Sequence, residues 1–140
     1  MSLLWILLPL FVEVALTFVL MFWLGVERVA VVRRRDVHIR DIALRQPNWP
    51  LRATQVSNAF DNQFQLPLLF YVLVILAIFT GRASPVFVVL AWLFVAARIG
   101  HAVIHVTHNN VPRRFWWYAA GAITLALMWL IFAIQVLLGL

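Results

Sequence analysis

The sequence has no cysteine, no lysine and only five acidic residues among its 140 positions. Lack of cysteine excludes disulfides and a thiol nucleophile supplied by the chain itself. Charged residues make up 11% of the chain and hydrophobic ones 65%, against about 25% and about 45–50% in soluble domains. Such a balance predicts an integral membrane protein with no room for a separate soluble domain. All eleven basic residues are arginine and the formal net charge is +6. The arginines gather in segments beside apolar runs, which reads as topology and lipid headgroup contact rather than nucleic-acid binding. No internal repeat or low-complexity segment is present.

What is abundant is long apolar stretches. Leu3–Val26 is the first, long enough to cross a hydrocarbon core of about 30 Å. It has neither a basic start nor a small-residue cleavage site, so it reads as a retained helix rather than a signal peptide. Residues 27–55 form the one hydrophilic stretch, with Arg28, Arg33, Arg34, Arg35, Arg40, Arg45 and Arg52. Its early part, Val29–Ile42, is expected to extend the first helix. Pro47 and Pro50 break any helix around Asn48 and Trp49, and Trp49 is placed at the headgroup level.

Further spans are expected at about 56–80, 86–106 and 115–138, joined by the short turns Gly81–Pro85 and His108–Arg114. The predicted fold is all-α: a single-domain, up-down four-helix bundle in the membrane. The basic loop and the Arg113–Arg114 turn lie on one side, and Arg82 is alone on the other. The positive-inside rule therefore puts the loop in the cytoplasm and both termini outside, with a bacterial inner membrane as the expected location.

Polar residues within apolar spans are the candidates for function. Asn58, Asp61, Asn62 and Gln65 share one face if their segment is one helix. Four polar groups in a row cannot face lipid cheaply, so they should face protein, water or a ligand. On the third span, Arg98, His101, His105 and His108 form a second row. Arg98 requires anionic or carbonyl partners, and Glu13 and Asp61 are the candidate carboxylates. Glu13, near the middle of the first span, is expected to be protonated or paired with a cation from another helix. The histidines admit three readings: a metal shared by His101 and His105, an axial haem ligand, or hydrogen bonding across the bundle. The sequence supplies no cysteine or Glu-x-x-His to complete a metal set, and the predicted site assigns no metal.

Three motifs together resemble the MAPEG family of membrane-associated proteins in eicosanoid and glutathione metabolism. They are Asn62-x-x-Gln65-x-Pro67, Arg98-x-x-His101-x-x-x-His105 and Arg114-x-x-x-Tyr118. Their order, and the helix count, agree over essentially the whole chain. The resemblance implies a homotrimer of four-helix subunits binding glutathione between neighbours near the cytoplasmic side. It makes Arg114 the cation that stabilises the glutathione thiolate, and hence the catalytic candidate. Asn58, Asn62, Gln65, Arg98, His101, His105 and Tyr118 become glutathione-binding candidates, with Arg28, Arg33 and Arg52 as counterparts of arginines that hold carboxylates. Gln65 stands where the family has a glutamate and His105 where a tyrosine is usual. Asn58 and Asp61 stand on a face that commonly carries arginines.

Two functions follow from this reading. One is a glutathione-dependent transferase or peroxidase acting on a lipophilic electrophile. The other is a non-catalytic membrane component, either a subunit of a larger complex or a holder of lipid or another hydrophobic ligand. Membrane lipids are partners under both.

Overall fold

A computed structural model describes residues 1–45 and 47–140. It contains five α-helices, and among the described residues no strand. The first, α1 (Leu3–Arg33), has 31 residues, about 46 Å at 1.5 Å per residue. That exceeds the hydrocarbon thickness by several turns, so one end stands clear of it. The chain then passes a short 3₁₀ turn (Ile39–Asp41) and enters α2 (Leu51–Asp61) directly after Pro50. A second 3₁₀ turn (Asn62–Phe64) leads to α3 (Leu66–Phe79). The last two helices are α4 (Pro85–Val106) and α5 (Val111–Leu137). Four stretches are long and apolar enough to cross a membrane: α1, α2 with α3 as one, α4 and α5.

Helix α1 does not continue to Ile42 as expected. Arg35 takes a left-handed φ of 58°. Its amide donates to Val32 and the Asp36 amide donates to Val31, at 3.1 Å each. This pair of bonds closes the helix by satisfying carbonyls that have no partner further on. Gly81 (φ 68°) ends α3 in the same way, with Arg82 N–H reaching Ala77 at 2.9 Å. After α4, Asn109 (φ 49°) itself donates its N–H to the Ile104 carbonyl at 2.8 Å. At the other ends, Ser84 Oγ accepts from Phe87 N–H at 3.2 Å and Asn110 Oδ1 from Arg113 N–H at 3.1 Å. These are N-caps of the favoured residue types.

The second span is not one continuous helix. Pro67 lies in the first turn of α3, where its missing N–H costs nothing; one turn earlier, its ring would clash with the carbonyl of Gln63. The chain therefore bends at Gln65 (φ −97°, ψ −103°). At the bend the Asn62 carbonyl accepts from Gln65 N–H at 3.3 Å in a 3₁₀ bond, and Arg98 adds a second donor. Its Nη2 donates to the Asn62 carbonyl at 3.2 Å and to the Asn62 side-chain oxygen.

Of the expected anionic or carbonyl partners, Arg98 thus takes a carbonyl rather than a candidate carboxylate. Among the described residues it forms no ion pair with Asp61 or Glu13. Asp61 is solvent-exposed instead. Glu13 is wholly buried, and neither carboxylate oxygen has a hydrogen-bond partner among the described residues. The Arg98 guanidinium is near enough for its charge to act on Glu13, but no hydrogen bond joins them among the described residues, and Nη2 is turned to the broken helix.

The core has two parts. An apolar cluster includes Phe70, Leu73, Val74, Phe94, Val95 and Met128 from α3, α4 and α5, with the Phe70 and Phe94 rings stacked at 4.7 Å. A smaller cluster of Leu20, Leu24, Val56, Ala59, Ala102 and Val106 joins α1, α2 and α4. Small residues bring α4 and α5 together. Gly121 faces Ala97, Arg98 and Phe94, and a Cβ on Gly100 would lie 2.5 Å from the Trp117 ring. Without a hydrophobic force between helices in lipid, this close approach is what packs them.

Candidate functional site

A cavity of about 530 Å³ opens between the α2–α3 bend, the last turns of α4 and the first turns of α5. The volume is within the range of small-molecule sites, about 300–1,000 Å³. One wall carries Asn58, Asp61, Asn62 and Gln65; the other carries His101, His105, Arg114 and Tyr118, with Val111 and Phe115 at the edge. Both polar rows therefore meet at one hollow even though the first row is not a single helix face. The 3₁₀ turn tightens the winding just where Asn62 follows Asp61, and all four side chains still reach the same space.

The geometry of the second wall follows from helix periodicity. His101 and His105 are one turn apart on α4, with ring centroids 5.5 Å apart at an edge-on angle of 82°. Tyr118 approaches His101 at 5.8 Å from α5. Both histidines are buried, and Nδ1 of each lacks a hydrogen-bond partner among the described residues. Buried polar atoms are normally satisfied, and the same lack of a partner holds for the Glu13 carboxylate oxygens and for Nε and Nη1 of Arg98 deeper in the bundle. Arg114 is aimed by Asn109, whose side-chain oxygen accepts from Nη1 at 2.7 Å. Among the described residues no three His, Asp or Glu side chains stand together as a metal set.

The remaining site candidates are elsewhere. Arg98 is wholly buried beside the cavity, under Asn62, and does not line it. Arg28 donates to Ser57 Oγ at 3.1 Å and stacks over Trp49 at 5.0 Å. It faces a neighbouring cavity of about 720 Å³, between α1, α2 and the loop, which Arg45 also lines. Asn58 and Asp61 line both cavities and form the ridge between them. Arg52 donates to the Val106 carbonyl at the end of α4 and stacks on Trp23 at 4.8 Å. Arg33, in the last turn of α1, is exposed and lines an apolar groove with Met21, Phe22 and Val29.

Sequence reasoning did not find Asn109, Val111 or Phe115. Asn109 leaves a usable signal, an Asn-Asn-x-Pro turn immediately before a helix carrying a candidate arginine. The two apolar residues leave none, because apolar positions at a helix start look alike whether they meet lipid or a ligand.

The sequence matches the family model described as "MAPEG family" over residues 6–134. Neither a curated protein nor a solved structure matches the chain.

Proposed function

Since the chain belongs to the MAPEG family, we propose that it is a glutathione-dependent transferase or peroxidase working on lipophilic electrophiles at the interface between subunits of a homotrimer. The observation that carries this reading is the placing of Arg114 and Tyr118 opposite Asn62 and Gln65 around one cavity. Glutathione supplies the thiol that the chain lacks. Arg114 sets a fixed cation beside that sulfur, favouring the thiolate over a thiol whose unperturbed pKa is about 8.5. Tyr118 can donate a hydrogen bond to the same sulfur, and Asn62 and Gln65 can bond the peptide amides. With an alkylating substrate, the thiol proton passes to water, a sulfur–carbon bond forms and the leaving group departs with its electron pair. With a lipid hydroperoxide, two glutathiones yield one disulfide, the alcohol and water.

The membrane supplies the substrate. Helices α1, α3 and α4 expose large apolar side chains such as Phe18, Phe22, Ile75 and Leu93, a surface suited to lipid or to neighbouring subunits. An electrophile dissolved in the bilayer reaches the cavity sideways. The test is ultraviolet thiolate absorbance on adding glutathione to the purified protein. No absorbance change and no thermal stabilisation at millimolar glutathione removes this reading.

One observation favours a second reading, a non-catalytic subunit or lipid-holding protein. Arg114 is the one arginine lining this cavity among the described residues, whereas glutathione brings two carboxylates besides its sulfur. Recovery of a stoichiometric partner from native membranes, with no thiol binding, supports that alternative.

A further inference from the structure

We propose that Glu13 is a positioning residue for the candidate site. From the middle of α1 it holds the Arg98 guanidinium inside the bundle, and through Arg98 it sets the α2–α3 bend that carries Asn62. The link lies within one chain and does not depend on which ligand the cavity takes.

Glu13 is the charged member of the buried stripe of α1, whose other members are Ile6, Pro9, Leu20, Leu24 and Val31. It is 0% exposed, and so is Arg98. Both are enclosed by the helices of their own chain, so a neighbouring subunit touches neither. Lone charges at such depth are costly, and intramembrane ionisable groups compensate one another. The charges of Glu13 and Arg98 act on each other. The other acidic residues are disposed elsewhere: Glu27 near Arg52, Asp36 on Arg34, Asp41 near Arg40, and Asp61 exposed. Tyr71 of α3 and Tyr118 of α5 also face Arg98, but as phenols they carry no charge at neutral pH. His101 and His105 feel the guanidinium from the cavity side, together with Arg114. Glu13 is therefore the carboxylate, among the described residues, that balances Arg98 from behind.

The balance decides which way Arg98 turns. Its Nη2 donates to the Asn62 carbonyl at 3.2 Å and to the Asn62 side-chain oxygen. Nε and Nη1 make no hydrogen bond among the described residues, nor do the Glu13 oxygens, so the two groups are coupled by charge rather than by a direct bond. Without an anion behind it, a guanidinium beside a polar hollow is relieved by swinging into that hollow. With Glu13 behind it, the charge stays in the bundle and Nη2 stays on the bend. The bend has little else to hold it. Pro67 prevents α2 and α3 from running on as one helix, and the Asn62 carbonyl otherwise has only the 3.3 Å bond from Gln65 N–H. Asn62 lines the cavity with Asp61 and Gln65. A charge in the middle of α1 is in this way transmitted to the wall of the site.

Hydrogen exchange read by mass spectrometry on the purified protein tests the link, comparing the bend (58–68) with the apolar half of α4 (87–95). Glu13→Gln keeps the shape and removes the charge. Its bend amides should exchange about tenfold faster, the scale of coupling between neighbours in one network, while 87–95 is unchanged. Glu13→Asp, which keeps the charge, should stay near the natural rate. Asn62→Ala cuts the other end of the link and should also loosen the bend, and adding Glu13→Gln to it should give no further increase. In thermal melts Glu13→Gln/Arg98→Gln should unfold at a higher temperature than Glu13→Gln alone, because removing both charges is milder than stranding one. If Glu13→Gln fails to fold, recovery of folded protein in the double variant supports the couple. A bend that exchanges at the natural rate in Glu13→Gln overturns the proposal. So does an equal acceleration in every helix, a further increase on top of Asn62→Ala, or a double variant no more stable than Glu13→Gln.

Discussion

The two halves of the bundle are built on opposite plans. In one, α3, α4 and α5 interlock through Phe70, Phe94, Val95 and Met128, with almost no exposure of these side chains. In the other, α4 buries Arg98, His101 and His105, and α2 breaks before α3 begins. The apolar half is held by dispersion contacts and small-residue approach, since lipid gives no solvent drive for helix association. The polar half is held by directed bonds, such as Arg98 on Asn62, and leaves room between the helices. The same helix, α4, serves both plans. Its first half carries Ala91, Phe94 and Val95, and its second carries the guanidinium and the imidazoles. One rigid helix thus anchors the apolar core with its first half and lines the site with its second.

That contrast can be broken from the apolar side. Phe94→Ala opens a void beneath the Phe70 ring and should cost on the order of 3 kcal/mol. It should lower the unfolding temperature in detergent without altering the relative response to different thiols. Breaking it from the polar side should do the reverse. Arg114→Ala should reduce thiolate formation about 100-fold, the scale of removing one dedicated charge stabiliser. Its unfolding temperature should stay near that of the natural chain, because Arg114 is only part-buried and bonded to Asn109. If both variants lose stability and thiol response together, the halves are not separable.

Smaller changes sharpen the boundary. Gly100→Ala pushes a methyl into the Trp117 ring at the α4–α5 contact, close to the cavity. Overpacking of roughly 1–3 kcal/mol is partly offset by about 1 kcal/mol of helix propensity, leaving a net loss of about 1 kcal/mol. Tryptophan fluorescence should shift as Trp117 moves. Gln65→Glu should have the least effect: a second carboxylate in the cavity should tighten binding of an ammonium-bearing thiol about two- to threefold. Titration with glutathione, with N-acetylglutathione as the control, checks it.

Much of the architecture could be read before any coordinates. Apolar run length gives the spans, and Pro112 marks a helix start because proline is tolerated there, whereas Pro50 and Pro85, expected to break a helix and to close a turn, stand at the starts of α2 and α4. The meeting of the two polar rows was also readable, since membrane helices cannot turn four polar side chains to lipid. Local closure was not. Arg34 and Arg35 are good helix residues by propensity, and only the left-handed turn at Arg35 shows where α1 stops. For Arg98 a carbonyl was expected beside two candidate carboxylates, and the structure supplies the carbonyl together with the Asn62 side chain; which of the partners it takes carries no letter in the sequence. The burial of Glu13 without a hydrogen bond is equally invisible, because it depends on which way the nearby Arg98 guanidinium turns.

The Arg52 guanidinium reaches from the first turn of α2 to the carbonyl of Val106, where the negative end of the α4 dipole lies. Arg34 is likewise spent on Asp36 at 3.1 Å. Neither bond removes the positive excess: residues 27–55 carry seven arginines against three acidic residues. An approaching anion is therefore drawn to this end of the protein as a whole, and raising the salt concentration should weaken its capture.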